Sequence, residues 1–314
     1  MKKMLAVVGP TASGKSDLAI WLCKKYGGEV VSCDSMQIYK RMNIGTAKPT
    51  KEEMQEVKHH LIDFLEPGTE YSVSDYVADA EKCVNDLESR GILPVFCGGT
   101  GLYIDSFVSG VKFSEFENDP AVRKKLEDEF HDSGIEGIYN RLSIVDPEIA
   151  KSVDIHNTKR VIRALEVYET TGITMTEWNK RSKINADKKE CLIVGLDYED
   201  RQTLYNRIDM RVDLMLDKGL LEEAKKLYDE GLFNTKTASQ AIAYKEFLPY
   251  FKGEEGLENC VEVLKRNSRR YAKRQLTWFR RNKDICWIFK DGKTMDDILN
   301  EVFVITDQYF SEEI

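Results

Sequence analysis

Residues 9–16, Gly-Pro-Thr-Ala-Ser-Gly-Lys-Ser, satisfy the pattern Gly-x-x-x-x-Gly-Lys-Ser and sit between an apolar run and a helix-like segment. Strand, glycine-rich turn and helix in that order commit the start of the chain to a βα unit of a parallel sheet. Met4-Leu5-Ala6-Val7-Val8 is uninterrupted apolar sequence, as a strand covered on both faces requires. Leu18, Trp21 and Leu22 then recur at helical spacing until Gly27-Gly28 stops the helix. Such a turn, here Gly9, Pro10, Thr11, Ala12, Ser13, Gly14, Lys15 and Ser16, aims successive backbone N–H groups (all but that of Pro10, which has none) at an anion, and the helix adds its positive end. Lys15 supplies a point charge, and the Ser16 hydroxyl is suited to Mg²⁺. The pattern speaks for phosphate and leaves open whether the ligand is a nucleotide such as ATP.

Further along, 29–33 reads as a strand ending on Asp34, and 92–97 as a buried strand running into Gly98-Gly99-Thr100-Gly101. Residues 74–90 between them read as a helix. Strand character returns at 191–196 and 285–289, while 200–230, 237–252, 256–282 and 294–310 read as helical. The stretch 113–189 is rich in charge and helical periodicity without a convincing strand. The expected fold is therefore α/β: a P-loop NTPase-like parallel-sheet core from 1–112 and 190–314, with a mainly helical insertion at 113–189.

A hydrophobic share of 42% against 32% charged residues is that of a soluble globular chain, and no apolar stretch is long enough to cross a bilayer. Met1-Lys2-Lys3 is followed by neither an apolar h-region nor a small-residue cleavage site, so no signal peptide is expected. Seven scattered cysteines without a Cys-x-x-Cys pair argue against a disulfide framework or zinc site and fit a reducing cytoplasm. The adjacent pair His59-His60 cannot share one helical face.

The strand at 92–97 lacks the terminal acid that holds Mg²⁺ in many phosphate-loop enzymes. The acid stands instead at Asp34. Strand carboxyl ends in a parallel sheet share one crevice, so Asp34, Thr100 and the phosphate loop are expected to face a common site. Asp34 also suits a helix cap or turn, and the residues alone leave both roles open.

The net charge of −8 hides a strong asymmetry: Lys265–Lys283 holds nine Lys or Arg residues and no Asp or Glu. On a helical wheel Arg266, Arg269, Arg270, Lys273, Arg274, Arg280 and Arg281 gather opposite Leu264, Tyr271, Gln275 and Trp278. Lys159, Arg160 and Arg163 form a second basic patch. Together they point to a polyanion larger than a nucleotide.

The chain resembles the bacterial tRNA dimethylallyltransferases, or tRNA isopentenyltransferases, over nearly its whole length. The resemblance is carried by Gly9–Ser16, Asp34-Ser35-Met36-Gln37-Ile38-Tyr39, Ile44-Gly45-Thr46-Ala47-Lys48-Pro49 and His59-His60-Leu61-Ile62-Asp63. It continues through Gly98-Gly99-Thr100-Gly101-Leu102-Tyr103, Arg160–Val167 and Ala272–Trp278. Ala243 stands where the family usually has glycine, and Thr158 follows Asn157 where Asp is common.

The resemblance implies transfer of a dimethylallyl group from dimethylallyl diphosphate to N6 of adenine 37 in tRNA, by a monomer using Mg²⁺. It implies Asp34 as general base, Thr100 at the reacting centre, and Lys15 and Arg211 on the diphosphate. It assigns tRNA contacts to Asp34, Ser35, Met36, Gln37, Thr100, Arg123, Lys159, Arg160, Val161, Ile162 and Arg163, and the basic-helix residues Arg270 and Arg274 are expected to join them. No zinc-finger extension like that of many eukaryotic relatives is expected. Three other readings use the same residues: prenylation of a free adenine nucleotide, a small-molecule kinase, or an RNA-binding module without chemistry. The helical insertion and basic helix favour tRNA over the mononucleotide, which requires neither.

Overall fold

The computed structural model describes residues 3–111, 119–184, 186–235 and 238–312. The chain divides into two compact units, Met1–Val108 with Lys189–Ile314, and Ser109–Lys188. The opening stretch 113–118 of the sequence-based insertion lies outside the described residues.

The first unit begins β1 (Met4–Val8), α1 (Lys15–Tyr26), β2 (Gly28–Ser32), α2 (Lys51–Glu56) and β3 (His59–His60). It continues α3 (Val73–Ser89), β4 (Leu93–Gly98) and α4 (Gly101–Val108). The second unit contains α5 (Pro120–Val145), α6 (Pro147–Ser152), α7 (Thr158–Thr171) and α8 (Met175–Ile184). The chain then returns to the first unit with β5 (Cys191–Asp197), α9 (Arg201–Asp217), α10 (Leu220–Asp229), α11 (Leu248–Phe251), α12 (Leu257–Phe279), β6 (Ile285–Phe289) and α13 (Met295–Ser311).

All six strands run parallel in the order β3-β2-β4-β1-β5-β6. β2, β4 and β1 are therefore neighbours, and the segments leaving their carboxyl ends are 33–34, 99–100 and 9–16. Burial on both faces explains their apolar runs. Leu5, Val7, Leu18, Leu22, Val95, Val194 and Val302 pack together in one layer with α1 and α13. On α3 and α4, Tyr76 stacks on Tyr103 with ring centroids 4.0 Å apart, while Phe96 of β4 meets Phe107 at 4.7 Å. Trp21 departs from the expected apolar stripe of α1: it is 46% exposed while Leu18 and Leu22 are buried.

Three segments differ from the sequence reading. β3 is a two-residue edge strand, too short for a periodicity to register. The helix expected over 200–230 is two helices, α9 and α10, separated at Gly219, whose φ of 93° is left-handed. The helix expected over 237–252 is replaced by short 3₁₀ turns and α11. Ala243 there has a φ of 80°, which no right-handed helix contains. Glu246 holds the turn by accepting from the Ala243 N–H at 3.0 Å and from Asn267 Nδ2 at 2.9 Å.

In the second unit α5 is broken at Gly134. Leu126, Ile138, Leu142, Val161, Ile162 and Leu165 form its core. α7 starts at Thr158, with the Asn157 side chain accepting from the Arg160 N–H as N-cap. Among the described residues no helix is long and apolar enough to cross a membrane.

Candidate active site

A cavity of about 270 Å³ lies in the first unit, where the phosphate loop, the turn after β2 and the helices α9 and α12 come together. Thr11, Lys15 and Ser16 line it on one side and Asp34–Gln37 on another. Arg211 reaches in from α9, while Ile208, Val212, Met215 and Leu264 supply an apolar wall.

Basic side chains grip the loop through its carbonyls. Lys15 Nζ donates to Pro10 O at 3.2 Å, Arg207 Nε to Ala12 O at 3.2 Å and Lys290 Nζ to Ser13 O at 2.9 Å. Arg211 donates to the Thr11 hydroxyl at 3.3 Å. Pro10 has no N–H, so its part in the loop is its carbonyl, which also accepts from the Ser13 N–H at 3.4 Å. Among the described residues no carboxylate forms an ion pair with Lys15, Arg207, Arg211 or Lys290, and this concentration of positive charge is suited to an anion of more than one charge.

Burial lowers the Lys15 ammonium below its usual value; nearby Cys97 and Asp34 pull it back up, and Arg211 pushes it further down. Burial likewise works against the Arg211 charge, with Asp34 and then Asp17 opposing it. Both cations are thus held at a cost that an incoming anion relieves. Burial also pushes the Cys97 thiol up to about 11, so this cavity-lining sulfur is neutral at physiological pH.

Asp34 serves the turn as well as the cavity. Its Oδ1 accepts from the N–H of Met36 at 2.8 Å and of Gln37 at 3.2 Å, an Asx-type turn. The turn role and a chemical role are compatible, because one oxygen holds the turn and the cavity wall includes the residue.

Thr100 adjoins two residues of the cavity wall, Ser35 and Tyr271. Its Oγ1 accepts from the Ser35 N–H at 3.1 Å and lies 3.4 Å from Ser35 Oγ, and it also meets the Tyr271 hydroxyl. Its link to the cavity therefore runs through Ser35 and Tyr271. The helical wheel puts Tyr271 and Gln275 on the docking face of the basic helix, yet both line the cavity. Their signal is hidden, because an aromatic and an amide among apolar positions look like packing.

Gln275 joins α12 to two strand ends. Thr11 N–H donates to its Oε1 at 2.8 Å, and its Nε2 donates to Gly99 O at 3.0 Å. A Cβ at position 99 would lie 2.0 Å from that Nε2, so only glycine permits this approach.

The family of the chain follows from comparison with known proteins. A family model described as IPP transferase matches residues 37–282, more than half of the chain. The chain belongs to the IPP transferase family. A tRNA dimethylallyltransferase of Acetivibrio thermocellus is 46% identical over 297 residues, covering 95% of both chains. The crystal structure of a tRNA isopentenylpyrophosphate transferase from Bacillus halodurans is similar with a TM-score of 0.74 at 39% identity, covering 98% of this chain and 96% of that one. A eukaryotic dimethylallyltransferase acting on tRNA has a TM-score of 0.85 at 31% identity, covering 99% of this chain and 80% of the other.

Against the family's expected RNA contacts, the basic residues of this IPP transferase family member divide into two groups. On α12, Arg266, Arg270, Lys273 and Arg274 are exposed. Lys265 instead pairs with Asp213 at 2.7 Å, Arg269 with Asp209 at 2.6 Å and Arg280 with Asp197 at 3.0 Å, so the basic face is partly neutralised by α9 and β5. Within the second unit Lys159 and Arg160 are exposed, while Arg163 and Arg123 both pair with Glu166, at 2.9 and 3.5 Å. Val161 and Ile162 are corrections: they are buried in that unit's core and cannot touch RNA through their side chains. The wheel that exposes Lys159 and Arg160 turns the next two residues inward.

Proposed function

We propose that this protein transfers a dimethylallyl group from dimethylallyl diphosphate to N6 of adenine 37 in tRNA. The observation that carries the reading is one cavity holding a cation-gripped phosphate loop, an apolar wall and the carboxylate residue Asp34. Family membership supports tRNA as the acceptor. The exposed arginines of α12 and the exposed Lys159 and Arg160 favour a polyanion over a free nucleotide.

An adenine amine is a poor nucleophile, because its lone pair is delocalised into the ring. Departure of the diphosphate must therefore be made easy. Lys15, Arg211 and the loop N–H groups stabilise the charge that develops on the leaving oxygen as the carbon–oxygen bond breaks. Ile208, Val212 and Met215 hold the allylic group and exclude water from the cation-like carbon. N6 bonds to that carbon, and Asp34 accepts the N6 proton, a role typically worth about 10²–10⁴ in rate. Because a stacked base hides N6, the adenine must leave the anticodon loop stack to enter the cavity.

Mg²⁺ fits the donors that are present. Ser16, exposed in the first turn of α1, offers one hydroxyl, and Mg²⁺ accepts a single protein oxygen when phosphate oxygens and water complete its shell. Among the described residues no cluster of three or more His, Cys, Asp or Glu competes as a metal site. Bound there, the ion supplies neutralisation of phosphate charge. We place the activity in the cytoplasm, where tRNA is modified, and in a single chain.

Mass analysis of nucleosides after incubating the protein with tRNA, dimethylallyl diphosphate and Mg²⁺ tests the reading. N6-dimethylallyladenosine in tRNA is the expected product. Prenylated AMP, ADP or ATP in place of prenylated tRNA assigns a nucleotide acceptor instead, and ATP-dependent phosphorylation without the allylic diphosphate assigns a kinase.

A further inference from the structure

Glu223 on α10 belongs to no motif, yet its carboxylate gathers more polar hydrogens than any cavity residue named above. The backbone N–H groups of Asn43, Ile44 and Gly45 donate to it at 3.1, 2.9 and 3.1 Å, and the Tyr244 hydroxyl donates at 2.7 Å. Three consecutive N–H groups converging on one anion form a nest, and an ionised acceptor makes each bond stronger than its neutral counterpart. Packing closes the arrangement: a Cβ at Gly45 would lie 2.5 Å from the Tyr244 ring.

The loop so held continues into Thr46 and Ala47, whose carbonyls both accept from Gln37 Nε2 at 3.1 Å. With the amide nitrogen committed, Gln37 has only its Oε1 to offer, as an acceptor, and the residue lines the cavity beside Asp34. A flipped amide would face the two carbonyls with its oxygen and leave them unpaired. Orientation is therefore set by the loop, and the loop by Glu223.

We infer that Glu223 is a positioning residue that, through the 43–47 loop, fixes Gln37 as a hydrogen-bond acceptor selecting a purine with an amine at position 6 over one with a carbonyl there. The inference rests on the adenine-prenylating reading of the cavity. Its test uses binding, which does not require turnover.

Dissociation constants are measured for anticodon stem-loops carrying adenosine or inosine at position 37, with wild-type protein, Glu223→Gln, Tyr244→Phe, Gln37→Ala and Glu223→Gln/Gln37→Ala. Wild type is expected to prefer adenosine. Glu223→Gln, which turns an amide nitrogen toward N–H donors, is expected to shrink that preference roughly fivefold or more. Tyr244→Phe, which deletes one hydroxyl, shrinks it less and serves if Glu223→Gln fails to fold. In the Gln37→Ala background, Glu223→Gln is expected to change the ratio no further. Equal weakening of both stem-loops, or no wild-type preference, overturns the inference. Adenosine preference without prenylation overturns the functional reading and leaves this one standing.

Discussion

The backbone N–H of Thr11 donates to Gln275 Oε1 at 2.8 Å, so a residue of the phosphate loop is held by a residue of the basic helix. The same amide reaches Gly99 O from its nitrogen. Both polar ends of Gln275 are thus spent on backbone groups beside the cavity, and neither backbone group is left unpaired. One helix carries exposed arginines on one side and, on the other, fixes two of the segments that build the chemical site.

Asp34 separates its two roles under a conservative change. Asp34→Asn retains an oxygen to accept from Met36 and Gln37, so the turn persists. The base is lost. Turnover is expected to fall about 10²–10⁴-fold with tRNA affinity unchanged. Single-turnover prenylation and filter binding measure the two quantities, and near-normal turnover removes Asp34 from the base role.

Diphosphate binding should depend on alkaline pH through Lys15. Its folded-state value is lowered from 10.5, so just below that pH the empty folded protein releases a proton that the unfolded chain keeps. Stability of the empty protein accordingly gains from this group as pH rises through the lowered value. Affinity for inorganic diphosphate moves the opposite way: it is full while Lys15 is charged and declines as pH rises through that value, earlier than an ordinary lysine would allow. Calorimetric titration across the alkaline range measures the decline, and Lys15→Arg, which remains charged, should flatten it. A flat wild-type profile removes Lys15 from the diphosphate.

Charge reversal at Arg270 and Arg274 should weaken tRNA binding in a salt-dependent manner. The slope of log affinity against log salt is expected to shrink by about one for each phosphate that the helix no longer neutralises. Lys265→Ala, which removes a partner of Asp213, should alter that slope less. Equal slopes in all variants would mark α12 as a solvated surface.

Ala243 occupies left-handed backbone at φ 80°, at a cost of roughly 1–2 kcal/mol for a residue with a Cβ. Ala243→Gly relieves that strain while loosening the unfolded chain by about 0.4–1 kcal/mol. A net gain of up to about 1.6 kcal/mol in urea denaturation is expected. A loss of stability would mean that the Ala243 methyl, buried against its neighbours, outweighs the strain.

The loop and the parallel sheet were readable because each imposes local chemistry: glycines where the backbone turns, continuous apolar runs where a strand has two covered faces. Asp34 was readable from its place at a strand end. Lys265, Arg269 and Arg280 looked free because their acids, Asp213, Asp209 and Asp197, lie on other elements that no helical wheel includes. Glu223 gave no signal at all, since a nest of backbone N–H groups on residues 43–45 leaves no side-chain pattern. Ala243 misled in the other direction, as alanine favours the helix that its φ forbids.

β1 lies between β4 and β5 in the sheet, although the whole of the second unit separates β4 from β5 along the chain. On the ribosome, β1 emerges before the other strands of its sheet and receives one of its two flanking partners only after residue 197 has been made. The helical second unit, whose core is its own, is complete before its host can close. Synthesis from the N-terminus thus finishes the guest before the host, and Val7 and its neighbours must wait, half covered, for the returning chain.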